Sequence, residues 1–170
     1  MASSELLLNG AATGLIVTGA ILEAAVEWRG YRIAFFTNDI PFEESLRIYM
    51  FDVNMAQIDA AVLGAMYSTG TFAELALHSP DTLTFRFFGG ILWCMVLLSE
   101  QEFALPFLSD PSGVSRDLKF FRHFRLEDKP LREEASDVSG KPRIRSSSRA
   151  GSIPRSTPRL LTAKLKPGIK

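Results

Sequence analysis

The sequence predicts an all-α protein, a small multi-helix membrane bundle with a disordered C-terminal tail. Three observations predict it. Residues 6–26 contain a single charge, Glu23, and as a helix would be roughly 31 Å long, close to the hydrocarbon thickness. Residues 1–108 hold nearly all the long apolar runs of the 170-residue chain. The formal net charge of zero is a cancellation: up to Asp128 there are 8 Lys and Arg against 16 Asp and Glu, and from Lys129 onward 11 against 3. The expected organisation is a helical membrane region over 1–108, an amphipathic juxtamembrane helix over 109–128 and a disordered basic tail over 129–170.

Within 6–26, Gly10 and Gly14 form a GxxxG pair that permits close helix contact in lipid. A buried core helix of a soluble bundle is the other reading of that run. No basic stretch precedes it, so a cleaved secretory signal is not expected. In residues 27–41, Trp28 and Tyr31 flank Arg29 and Arg32, a composition suited to a headgroup interface. Residues 31–36 fit a short strand equally well, with turn chemistry over 37–41. Glu43 and Glu44 then open a helix after Pro41.

Residues 46–77 carry their charges early, and 60–77, with only Glu74 charged, is a second candidate span. Residues 87–98 are intensely apolar but short. They cross a bilayer only if 99–108 continue them, and Glu100 and Glu102 oppose this by about 2.5–3.5 kcal/mol for each acid placed centrally. The stretch from Gly19 to Val26 echoes that from Gly70 to Leu77, each with a glycine followed four residues later by an acid. Glu23 and Glu74 are therefore candidate intramembrane acids.

On a helical wheel over 109–128, Leu118, Phe120, Phe121 and Phe124 fall on one side. Arg116, Lys119, Arg122 and His123 fall on the other, which predicts lipid-headgroup contacts by Arg116, Lys119 and Arg122. Packing of the Phe face on the body is the alternative. The tail is rich in Pro, Ser, Arg and Lys and has no aromatic residue, so it cannot bury enough apolar surface to order itself. Ser152 has Arg149 three before it and Pro154 two after, a pattern that suits basophilic kinases and a phosphoserine-reading partner protein; Thr157 precedes Pro158.

No phosphate-binding loop, dinucleotide fingerprint, nucleophile elbow or zinc-protease helix motif occurs, and His78 and His123 lack a second ligand at helical spacing. No catalytic site, cofactor or metal is expected. Cys94 is the only cysteine, so no intrachain disulfide can form, and its apolar setting predicts a buried, inert thiol.

One resemblance bears on function. Arg29-Gly-Tyr-Arg32 after an apolar run, then Glu44, then Tyr49-Met-Phe-Asp52, resembles the end of the fungal RTA1-like (lipid-translocating exporter) family. The resemblance covers residues 29–60 and implies that Arg29 and Arg32 close a sixth helix and Asp52 opens a seventh. It also implies a truncated relative, since five helices and the usual end of the last one have no counterpart. The expected function is thus a non-enzymatic, multi-pass membrane protein linked to lipid or toxic-compound export, with membrane lipid as partner. The positive-inside rule favours three spans with residues 27–57 and the tail inside. The rival expectation is a soluble helical interaction module, or a viral structural one, whose basic tail binds nucleic acid.

Overall fold

Asn9 and Gly10 both take positive φ, 53° and 82°, the signs of a type I′ hairpin turn. The first apolar run therefore doubles back instead of continuing as a helix. It forms β1 (Ser3–Leu8) and β2 (Ala11–Thr18), and after Gly19 the chain enters β3 (Ile21–Trp28). Arg29 and Gly30 repeat the device, with φ of 49° and 84°, and lead into β4 (Tyr31–Thr37). The remaining strands are β5 (Leu46–Phe51), β6 (Gln57–Leu63), β7 (Ala73–His78), β8 (Thr82–Arg86), β9 (Ile91–Phe103), β10 (Val114–Ser115), β11 (Phe121–Pro130) and β12 (Leu161–Leu165). The structure, a computed structural model, describes residues 2–40, 44–64, 70–88, 91–105, 108–130 and 161–165.

The strands form three antiparallel sheets. The first has the order β12-β1-β2, the second β10-β6-β5-β4-β3 and the third β11-β9-β8-β7. Side-chain alternation shows how they stack, because successive residues of a strand face opposite ways. On β4, Ile33 and Phe35 join Leu46, Ile48 and Met50 of β5 in a core shared with Leu83, Phe85, Trp93, Met95 and Phe124 of the third sheet. The intervening Ala34 and Phe36 join Tyr49 and Phe51 in a second core, with Leu6, Val17 and Leu161 of the first sheet. The second sheet is thus the middle layer of three, an arrangement that domains adopt only occasionally.

This overturns the all-α expectation. Every regular element among the described residues is a strand, and none of their helices is long and apolar enough to cross a membrane, there being no helix among them. The helical membrane region over 1–108, the membrane and transmembrane-helix reading, the multi-pass localisation and the export function built on it are withdrawn. The physical reason lies in the middle layer. A strand buried on both faces loses period-2 alternation and becomes a continuous apolar run, which composition cannot tell from a buried helix. Residues 32–37 of β4 are all buried. The short strand anticipated over 31–36 is the one local expectation that matches an observed element.

The end of the chain differs as well. Lys129 and Pro130 complete β11, and β12 pairs antiparallel with β1 from Leu8↔Leu161 to Ser4↔Leu165. Residues 131–160, the greater part of the expected disordered basic tail, lie outside the described residues.

Candidate functional site

The connection from β9 to β11 leaves the third sheet, adds β10 to the edge of the second beside β6, and returns. It therefore spans two layers. Where it returns, the β11–β9 register shifts: Arg122 pairs with Glu102 and Phe124 with Leu97, so His123 stands opposite residues 98–101 of β9 without a ladder partner. Asp59 on β6 supplies what the ladder lacks: its Oδ2 accepts the His123 backbone N–H at 2.7 Å. The other carboxylate oxygen, Oδ1, accepts from the Ala60 N–H at 2.8 Å and from Arg116 Nη1 at 3.0 Å. Asp59 is 3% exposed, a buried charge that is fully partnered.

Arg116 completes the arrangement. Its Nε donates to Asp110 Oδ1 at 3.1 Å and its Nη2 to the Phe124 carbonyl at 3.1 Å, while the guanidinium lies 4.2 Å from the Phe124 ring centroid. Arg122 is held less well. Among the described residues only its Nη1 is engaged, by the Ser109 carbonyl at 3.4 Å and Asp110 Oδ1 at 3.5 Å. Both arginines line a cavity of about 270 Å³ together with Lys119, Leu105, Ser112 and Phe121. Lys119 Nζ reaches the Ile58 carbonyl at 3.5 Å.

A second, more open cavity of about 370 Å³ lies on the other side of β6, lined by Thr18, Arg47, Tyr49, Gln57 and Arg116 among others. The Tyr49 hydroxyl donates to the Thr18 carbonyl at 2.8 Å, tying the middle sheet to the first. Burial raises the Tyr49 pKa above its ordinary value, opposed by the neighbouring Arg47 charge and the Thr18 hydrogen bond. Among the described residues no three His, Cys, Asp or Glu side chains come close enough to hold a metal ion.

The residues singled out from the sequence fall in three places. Arg29, Arg32 and Asp52, the family-like set, sit at strand ends. Arg29 is exposed in the β3–β4 turn with its guanidinium 4.9 Å from the Trp28 ring centroid. Arg32 is buried and donates from Nη1 to the Asp52 and Val53 carbonyls at 3.3 and 3.4 Å. Asp52 closes the β5–β6 turn, its Oδ1 accepting from the Asn54 and Ala56 N–H groups at 2.8 Å each. These residues form strands and turns, so the two helices implied by the resemblance are not present.

Glu23 and Glu74 are both exposed, and both lie where a ladder register shifts. Glu23 accepts from the Thr37 hydroxyl at 2.6 Å, and Glu74 pairs with Arg86. They are on different sheets and share no site. Ser152 and Thr157 lie outside the described residues.

Arg116, Lys119 and Arg122 are brought together, but not as the polar face of a helix. The polarity is reversed. Arg122 is buried and Arg116 nearly so, while Leu118, Phe120 and Phe121 are exposed and only Phe124 is in the core. Of this cluster sequence reasoning missed Asp59 and Asp110, because nothing local announces that β6 and β11 are neighbours.

The same segment carries an apolar strip, of which the helical wheel groups Leu118, Phe120 and Phe121 but not Phe103, Leu105 or Leu108. Phe103, Leu105, Leu108, Leu118, Phe120 and Phe121 are each between 51% and 81% exposed. Phe103 stacks on Phe120 at 6.2 Å and meets Phe121 edge-on at 5.9 Å. The Ala104 N–H donates to the Phe120 carbonyl at 2.8 Å, which fixes the two halves of the strip against each other. Compared with protein-family models, with curated proteins and with solved structures, the chain finds no match.

Proposed function

We propose that the protein acts by binding, not catalysis, as a β-sheet interaction module whose apolar strip pairs with a second copy of the chain. The strip itself carries the proposal. At about 200 Å² for a fully exposed side chain of this size, its six residues leave roughly 700 Å² of mostly apolar surface open. Contiguous patches above about 600 Å² are rare on monomers. A standard interface takes about 800 Å² from each partner, so one copy facing another around a two-fold axis closes the strip with little else required.

Face-to-face packing is favoured over strand addition at the β9 edge. Beyond Val96, where pairing with β8 ends, β9 continues past Glu100 and Glu102, both exposed. Two such edges brought together would oppose like charges, the usual protection of an open edge.

Sedimentation of the full chain across a concentration series tests this. The expected result is a reversible monomer–dimer equilibrium that survives high salt and is shifted to monomer, by at least about tenfold in Kd, in the double variant Phe120→Ser, Phe121→Ser. Both side chains are more than half exposed, so the variant is expected to keep the wild-type circular dichroism spectrum. A wild-type chain that stays monomeric up to roughly 100 μM overturns self-pairing. A dimer untouched by the double variant overturns the strip.

A further inference from the structure

We infer that the cavity between β6, β10 and β11 is a binding site for a small monocarboxylate with an apolar body, with Arg122 as its anchor. The inference goes beyond self-pairing and stands on a different observation, the unequal service of two arginines. Arg116 has a carboxylate oxygen on Nε and another on Nη1, at 3.1 and 3.0 Å, and a carbonyl on Nη2. Arg122 has only the shared Asp110 at 3.5 Å and a carbonyl at 3.4 Å, both on Nη1. Its Nε and Nη2 have no partner among the described residues. Arg122 is 6% exposed and lines the cavity.

The free pair has a definite shape. Nε–H and the nearer N–H of Nη2 run parallel along one edge of the guanidinium, at a spacing that matches the two oxygens of a carboxylate. A buried arginine whose side-on fork is unused is an unusual expense of desolvation, and a bidentate anion resolves it.

The surroundings narrow the class of ligand. Ala104, Leu105, Val114 and Phe121 line the same cavity and would cover carbon, not phosphate oxygens. Asp59, Asp110 and Asp117 line the wall against Arg116, Lys119 and Arg122, three charges of each sign, so a second negative charge on the ligand is disfavoured and a monoanion is preferred to a dianion. The volume, about 270 Å³, suits a compact molecule at the small end of ligand pockets.

Hydrocinnamate, a phenyl ring on a short carboxylate arm, is the probe, and hydrocinnamamide is its neutral isostere. Ligand-observed NMR titration of the full chain is expected to show saturable hydrocinnamate binding, with the amide at least about tenfold weaker. Arg122→Lys keeps the charge and removes the fork, and is expected to weaken hydrocinnamate by a similar factor. The carboxylate–amide comparison uses the unaltered protein and is independent of whether that variant folds. No saturation by roughly 20 mM hydrocinnamate, or equal affinity for acid and amide, overturns the inference.

Discussion

At the scale of single residues, Asp59 shows how one side chain can join two layers. It satisfies a backbone N–H that a bulge has stranded on β11 and answers a guanidinium from the crossing connection, both from β6. Removing one partner of a buried ion pair leaves the other charge uncompensated, typically at 3–5 kcal/mol. Asp59→Ala is therefore expected to lower unfolding free energy in urea by about 3–5 kcal/mol. Asp59→Asn, which keeps one acceptor, should cost less. Tyr49 gives a second test. Its pKa is raised above the ordinary 10.0, so above that pH the unfolded chain releases the phenolic proton while the folded chain retains it. Stability should fall as pH climbs from about 10 toward the folded value, by at most about 1.4 kcal/mol per pH unit, and be unaffected by this group below it. Urea titrations of the wild type and Tyr49→Phe should share the same slope below pH 10 and diverge above it. Neither role was legible in the sequence. The types of residue were visible at 116, 119 and 122, but a helical wheel assigned them to lipid headgroups, since only the adjacency of β6 and β11 turns those cations inward.

At the scale of elements, the hairpins were more legible than the helices drawn in their place. Asn9-Gly10 is among the strongest short-range hairpin signals, and both residues take the positive φ it requires. In β3, Glu23 and Glu27 alternate with residues that are less exposed, the mark of a half-covered strand. What concealed these signals was the apolar content around them: β4 is buried on both sides and has no alternation to find, and β9 opens on an unbroken apolar run in which Trp93, Cys94 and Met95 are successively buried. Gly19 shows how tightly the turns are fitted. Its φ is 140°, and a Cβ there would stand 2.6 Å from Phe36 Cβ. Gly19→Ala combines backbone strain with an overpacked core and is expected to destabilise by roughly 2–4 kcal/mol in chemical denaturation. Gly10→Ala, with open space around it, should cost only the strain, about 1–2 kcal/mol. Equal losses at the two positions would show that packing against Phe36 is not what constrains Gly19. The free edges of the outer sheets are blunted in a related way: β7 is exposed, carries a register shift, and has Glu74 at positive φ.

At the scale of the whole molecule, the middle sheet is sealed by two unlike partners. The third sheet brings a large aromatic core, with Trp93, Phe85, Phe87 and Phe124 fully covered. The first sheet brings a smaller one and needs a strand from the far end of the sequence to complete it. Leu161 on that strand is 6% exposed and packs with Leu6, Phe36 and Tyr49 in the second core. Leu161→Ala is expected to cost about 2–3 kcal/mol, read as a shift in the urea midpoint at unchanged slope. A change within about 0.5 kcal/mol would mean that β12 contributes little to the core. The sequence offered little warning of this strand. Five residues amid Pro, Ser and Arg look like part of a charged linker, and only the partner at the other end gives them something to cover.

That pairing has a consequence for biosynthesis. Leu8 cannot meet Leu161 until everything between them has been translated, on the order of ten to thirty seconds at ordinary elongation rates. During that interval the earliest strand must present one uncapped flank to the cellular milieu, where chaperones and stray β-prone segments compete for it. A nascent chain stalled shortly before codon 161 should consequently recruit holdases that the finished chain does not.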